Sequence, residues 1–249
     1  MEQMRAPAVA GTFYPEDPHE LAGEISRLLS ETPPGPPPKA LIAPHAGYIY
    51  SGPVAAAAFR RVQGAPIARV VLLGPAHFAF FQGLALPDAA AYATPLGEVP
   101  IEDAPFPRNA AAHEREHSLE VVVPFLQIAL ERKFKLVPLA VGDARAEEVA
   151  EAIEALWGGA ETLVVVSSDL SHYLPYQQAR AMDAGTAKEI LALGRLELTD
   201  ACGAAPVNGL LLVARRRKMR AELIDLRNSG DTSGDKGRVV GYGAFAFYQ

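Results

Sequence analysis

Three histidines stand where short apolar runs give way to turns. The run at 41–42 leads into Pro44-His45-Ala46-Gly47-Tyr48, and the run at 71–73 into Gly74-Pro75-Ala76-His77. The run at 164–166 leads into Ser167-Ser168-Asp169-Leu170-Ser171-His172. The chain has only six histidines, so three in such places is an uneven use of a scarce residue. Neutral imidazoles bind iron, zinc or copper and titrate near neutrality, so the chemistry on offer is metal binding or proton transfer. Short turns after buried strands hold side chains rigidly, as a coordination sphere requires. Taken singly, a histidine after a strand is more often a structural hydrogen-bonder; their joint placement is what points to a site. Cys202, the only cysteine, lies in Asp200-Ala201-Cys202-Gly203. A thiolate is a strong ligand for late transition metals, and a lone thiol is otherwise a small buried hydrophobe; spacing does not choose between them.

Two local motifs make rival claims. His113-Glu114-Arg115-Glu116-His117 satisfies H-E-x-x-H, the zinc metalloprotease pattern. That motif belongs inside a packed helix. Here it straddles an expected helix start, follows the loop-like Phe106-Pro107-Arg108-Asn109, and lacks the H-x-x-G-x-x-H extension. The preferred reading splits it: His113 is solvated, while His117, on a first helical turn, either faces the strand ends or is solvated too. Gly230-Asp231-Thr232-Ser233-Gly234-Asp235-Lys236-Gly237 looks like a phosphate loop but has the wrong spacing, carries two aspartates, and leads into a strand rather than a helix. A glycine-rich connection between strands is the better account, with Asp231 or Asp235 free to line a pocket.

Elements must position these residues. Asp17 as N-cap, Pro18 at N1, Glu20 at N3 and the stripe Leu21, Ile25, Leu28, Leu29 predict a helix over about 17–31. A proline-rich linker, 32–38, follows. Apolar patterns then predict strands at 40–43, 70–73, 135–141, 162–166, 220–226 and 239–248, with extra strands or a hairpin over 83–86 and 92–101. Helices are predicted over 51–62, 117–132, 145–157, 177–193 and 206–218, with Pro124 kinking the second of these or setting its first turn. Alternating β and α patterns argue for an α/β fold, one domain over 1–249, with a largely parallel or mixed central sheet covered by helices on both faces. Ligands bind such sheets beyond the carboxyl ends of the strands, which is where the histidines fall.

At 249 residues and 49% hydrophobic, the chain can build a substantial core and is neither disordered nor fibrous. No apolar run approaches the roughly 18 residues of a membrane span. Residues 1–9 lack the apolar core of a signal peptide, and one cysteine excludes an internal disulfide. The expectation is a reduced, cytoplasmic protein with no membrane partner. Net charge is −6, and the one basic run, Arg215-Arg216-Arg217-Lys218, suits a helix C-terminus rather than a nucleic-acid surface.

The histidine turns, Glu116-His117-Ser118 and Ala201-Cys202-Gly203 are joined by Arg5-Ala-Pro-Ala-Val-Ala-Gly-Thr-Phe-Tyr-Pro15 near one end and Thr232-Ser-Gly-Asp-Lys-Gly-Arg-Val-Val-Gly-Tyr242 near the other. In this order they resemble the Memo family, in bacteria and archaea called AmmeMemoRadiSam system protein B, nearly end to end. The resemblance implies a fold similar to the class III extradiol dioxygenases, which use non-haem iron held by two histidines and a carboxylate. It implies metal ligation by His45, His77 and Cys202, with Asp169, His172 and His117 around them in the pocket; His113 is outside the family pattern. Microbial members resemble neighbours of a radical-SAM protein and a third partner, and animal members are associated with motility and receptor signalling. Cys202 in place of the carboxylate shifts metal preference toward softer ions and is open to oxidation.

Two functions follow as expectations. The first is a dioxygenase-like oxidoreductase that uses Fe(II), or else Cu or Zn, on a small-molecule or peptide substrate. His172 or His117 would act as acid–base there, its ring oriented by Asp169. The second is a non-catalytic metal- or peptide-binding protein acting through a partner such as the radical-SAM protein.

Overall fold

Thr162–Ser167 and Ala40–Ala43 are buried at every position. A strand hidden on both faces needs helices above and below it, and the chain supplies them. The computed structural model describes residues 4–130 and 132–249. In chain order its elements are β1 (Met4–Arg5), α1 (Pro18–Ser30), β2 (Ala40–Ala43), α2 (Tyr48–Arg60), β3 (Arg69–Pro75), β4 (Leu84–Ala85), β5 (Ala91–Thr94) and β6 (Gly97–Pro100). Then come α3 (Ala110–Glu114), a 3-10 turn (Glu120–Val122), α4 (Val123–Leu130), β7 (Lys135–Val141), α5 (Ala146–Ala155), β8 (Thr162–Ser167) and β9 (His172–Leu174). The last are α6 (Tyr176–Leu191), α7 (Ala204–Arg216), β10 (Arg220–Asn228), α8 (Ser229–Thr232) and β11 (Val239–Tyr248).

Four parallel strands form the centre, in the order β2-β8-β3-β7. β11 pairs antiparallel with β2 and carries β10 outside it, while β4 pairs antiparallel with β7 at the far edge. The sheet is therefore mixed, parallel in the middle and antiparallel at both margins. A second, three-stranded sheet joins β1, β5 and β6. Period-two alternation divides each central strand between two cores. Leu41, Val70, Leu72 and Val165 belong with Ile25, Phe59 and Phe125 of α1, α2 and α4. Ile42, Val71, Leu73, Val164 and Val166 belong with Val149 and Ile153 of α5 and Leu210 and Leu211 of α7. α1 starts where its caps require: the Asp17 carboxylate accepts the N–H groups of His19 and Glu20.

Three expectations are corrected. The helix anticipated from His117 starts later: residues 120–122 form a 3-10 turn and α4 begins at Val123. Pro124 then falls in the first turn of α4, where its missing N–H is no loss; Glu131, inside the anticipated span, lies outside the described residues. His117 is thus on the irregular approach to a helix rather than on one. α2 begins at Tyr48 rather than Ser51, with Pro53 inside it. The glycine-rich connection after β10 opens with a capped turn, α8, in which Asn228 and Asp231 form a capping box. Among the described residues no helix is long and apolar enough to cross a membrane.

Candidate metal centre

β2, β8 and β3 are parallel neighbours, so their carboxyl ends open on one edge of the sheet and the three histidine-bearing turns meet there. The first and third turns are tied together directly. Ser168 N–H donates to Ala43 C=O at 2.9 Å, and His45 N–H donates to Asp169 Oδ1 at 2.8 Å. The His45 ring is 1% exposed. Its Nδ1 lies 2.8 Å from Ser167 Oγ. The Ser167 hydroxyl donates to Ser118 C=O at 2.6 Å, so the hydrogen between ring and serine must belong to Nδ1. Nε2 of His45 therefore has no hydrogen and acts as an acceptor.

His77 is oriented by the same logic. Its Nδ1 lies 2.9 Å from Oε1 of Glu116, which is 1% exposed. Burial alone would raise the Glu116 carboxyl, but donors from the His77 ring, the His77 backbone and the Ser118 backbone hold it down to about 2. It is a carboxylate and can only accept, so Nδ1 of His77 carries a hydrogen, and in the neutral ring Nε2 is the atom that bears the lone pair. His117 reaches the same place because of a glycine. A Cβ on Gly74 would sit 2.8 Å from Ser118 Oγ and 3.0 Å from Leu119 Cδ2, so only glycine lets this segment lie on β3. The His117 ring stacks on His77 with centroids 4.8 Å apart and meets His45 edge-on at 5.5 Å. Ring nitrogens of His45, His77 and His117 all lie within 4.8 Å of one another. Burial, followed by the neighbouring imidazoles, holds His45 well below the usual histidine range. His117 is lowered chiefly by burial against the opposing pull of Glu116.

Cys202 stands beside this trio without belonging to it. Its Sγ is 3.4 Å from His45 Nε2 and accepts Asp169 N–H at 3.3 Å. Gly203 permits the approach, since a Cβ there would meet Ser168 Cβ at 2.7 Å and Ser167 C=O at 3.0 Å. Because His45 Nε2 has no hydrogen, the thiol is the donor in that contact. Burial, then the Asp169 charge, push the thiol up to about 12. Burial also pushes the Asp169 carboxyl up to about 7, against the pull of the His45 N–H.

Asp169 does not orient His172, contrary to expectation. Its carboxylate is engaged by the His45 backbone, and His172 Nδ1 donates instead to Leu170 C=O at 2.8 Å, leaving its Nε2 free. Burial of the ring lowers His172. His113 is not solvated. It is 1% exposed, donates from Nε2 to Ala85 C=O at 2.8 Å, and accepts the Tyr92 hydroxyl at Nδ1 at 2.9 Å. The two ends of H-E-x-x-H thus serve different settings. A cleft of about 610 Å³ opens beside the trio, lined by Phe13, Tyr50, His117, Asp169, His172 and Asp235 among others. Asp231 lines a smaller one elsewhere. Glu116 and Ser167, which orient two of the rings, were not signalled by residue type: one sat at a variable position of a misleading motif, the other was one serine among several.

A profile of the family described as Memo-like protein matches residues 5–246. The chain belongs to the Memo family. It is 35% identical to a MEMO1 family protein of Methanopyrus kandleri, with 98% of each chain covered. It is 36% identical to one of Aquifex aeolicus, over 96% of this chain and 97% of that one. A relative in Sulfolobus acidocaldarius is 35% identical, again over 96% and 97%. In this Memo protein the donor set suits a metal ion. The buried ring of His45 and the exposed ring of His77 each have Nδ1 engaged by a protein group, and the half-buried ring of His117 is stacked on His77. Metal-binding histidines are commonly fixed in this way by a partner on the other nitrogen.

Proposed function

We propose that this Memo family protein is a metal-dependent, dioxygenase-like redox protein whose ion is held by His45 and His77, with Cys202 and His117 as further donors. The observation that carries the reading is the convergence of three imidazoles, two with a bared Nε2, on the edge of an open cleft. His45 and His77 are common to every donor set drawn at this site. The Cys202 proton occupies the His45 lone pair, which is where a cation would bind, and a thiol beside a cation is readily deprotonated. The imidazoles accommodate Fe(II), and the one sulfur, which favours softer ions, makes Cu or Zn the alternatives. The ion would supply Lewis acidity and open positions at which an organic substrate and dioxygen meet. Glu116 and Ser167 hold the two rings in place. His172, its Nδ1 engaged by Leu170, has a free Nε2 to take up or return a substrate proton.

The test is anaerobic loading with Fe(II), metal analysis, and oxygen uptake with a panel of catechols and thiols. Wild type should retain iron and His45→Ala should lose it; equal iron in both overturns the assignment. Cys202→Ser distinguishes the donors, since undiminished iron would leave His117 as the third. A second reading, a non-catalytic binding protein working with a radical-SAM partner, is favoured by the apolar cleft mouth. Ile49 and Tyr173 line it while 70% and 61% exposed, and exposed apolar rims mark interaction surfaces. Oxygen uptake that disappears in Cys202→Ser would defeat it.

A further inference from the structure

The segment Arg5–Pro15 takes no direct part in the donor set, yet it is tied to that site at several points. Arg5 and Glu120 form an ion pair with side chains 4% and 0% exposed. Glu120 is the acceptor around which the segment folds: it takes Ala8 N–H at 2.8 Å, Val9 N–H at 3.0 Å and the Tyr14 hydroxyl at 2.6 Å. A fully buried carboxylate needs this many donors to be tolerated. Arg5 uses its remaining N–H groups on the backbone of the histidine-bearing segment, donating to His113 C=O at 2.9 Å and to Glu116 C=O. Its guanidinium also lies over the Tyr92 ring, 4.9 Å from the centroid.

The bonds continue into the three-imidazole cluster by separate routes. Arg5 fixes the backbone of Glu116, whose carboxylate orients His77. Phe13, one residue before the Tyr14 anchor, packs its ring 5.0 Å from that of His117. Phe13 C=O accepts Tyr48 N–H at 2.7 Å, at the start of the helix that follows the His45 turn. Thr12 and Phe13 also line the cleft. We infer that residues 5–14 form a positioning strap for the three-imidazole site, anchored by the buried Arg5–Glu120 pair and delivered to His117 by Phe13. Arg5, Glu120 and Phe13 are positioning residues: none offers a donor to the ion, and each acts through a histidine or its partner. The inference rests on reading the trio as a metal site, and it predicts ring geometry in the metal-free protein as well.

Two variants test it. Glu120→Gln keeps an acceptor oxygen for the strap but removes the charge that holds Arg5. Phe13→Leu leaves the anchor intact and removes only the ring against His117. Long-range proton–nitrogen spectra of the histidine rings are recorded on the metal-free proteins, with His172, held by Leu170 C=O, as internal control. The signals of His117 should shift or broaden in both variants, and those of His77 in Glu120→Gln, while the His172 ring stays in its tautomer. Co(II) titration should show affinity about tenfold to a hundredfold weaker, the loss typical of groups that orient ligands. Folded variants with wild-type ring spectra overturn the strap. Should Glu120→Gln fail to fold, Phe13→Leu decides alone. A wild type that binds no Co(II) overturns the metal reading instead, and the ring spectra still decide the strap.

Discussion

The protein fixes imidazoles in two settings, each with a buried ring (His113 in one, His45 in the other), and treats them in opposite ways. His113 has both ring nitrogens engaged, one donating to Ala85 and one accepting from Tyr92. His45 and His77 each have Nδ1 tied to a protein group, leaving Nε2 directed elsewhere. A buried polar atom without a strong partner is costly, so the first arrangement is the one expected of a histidine that only stabilises the fold. The second is the arrangement expected of a ligand awaiting an ion. His113 and His117 are only four positions apart, so the distinction comes from which partners the fold brings to each ring and not from local sequence.

The strongest way to break this comparison is to remove one bared ring. Binding to a four-donor zinc site is worth roughly 10–16 kcal/mol, or about 2.5–4 kcal/mol per donor. His77→Ala should therefore weaken Co(II) or Zn(II) binding by about a hundredfold to a thousandfold, measured by competition with a chromophoric chelator. A matched His113 variant should leave affinity unchanged. If the two variants lose metal equally, the two settings do not differ in the way described.

The second test uses protons. Burial holds His113 down to about 4, against an ordinary value of 6.5. Between those values the unfolded chain binds a proton that the folded protein refuses, so stability falls as pH drops from about 6.5 to about 4. The shift corresponds to about 3 kcal/mol in total. Asp169 works in the opposite direction: its carboxyl is raised to about 7, so folding is favoured by its protonation as pH falls. The difference between wild type and His113→Phe isolates the first contribution. Urea denaturation at pH 7 and pH 4 should show wild type losing about 3 kcal/mol more than the variant; parallel losses would mean His113 is not the buried neutral base described.

Much of this was legible in the chain. The parallel centre followed from apolar runs with turn signals after them, and so did the meeting of the His45, His77 and His172 turns at one edge. The family resemblance rested on motifs that the profile match bears out. What was not legible were long-range partners. Nothing near His113 announces that Tyr92 and Ala85 will enclose it, so it was read as solvated. Nothing near Asp169 shows that the His45 backbone will claim its carboxylate before His172 can. The place of His117 depended on Gly74, forty-three residues upstream, leaving room for Ser118 and Leu119. Short elements such as β9 and α3 are too brief to show a period.

A smaller effect is expected one bond away from the ligands. Glu116→Gln keeps the size of the side chain but can present an amide nitrogen where the His77 ring needs an acceptor. Metal affinity should fall about tenfold to a hundredfold, the usual range for a carboxylate behind a ligating histidine. Stability should fall too, because the His77 and Ser118 N–H groups lose a charged acceptor. Affinity equal to wild type would show that His77 is held by packing alone.

The finest comparison deletes one hydroxyl from each setting. Ser167→Ala removes the acceptor for His45 Nδ1–H and the donor to Ser118 C=O, while Tyr92→Phe removes the donor to His113 Nδ1. Each loss should cost about 1–3 kcal/mol of unfolding free energy, the range for a buried hydrogen bond with its partner left behind. Their effects on metal binding should differ. Without Ser167 the His45 proton is free to move to Nε2, which would have to be bared again before an ion could bind, so affinity should weaken a fewfold. Tyr92→Phe should leave affinity untouched, because no nitrogen of His113 is offered to an ion. Equal stability losses with unequal metal affinities would show that tautomer control, and not burial, is what separates a ligand histidine from a structural one in this fold.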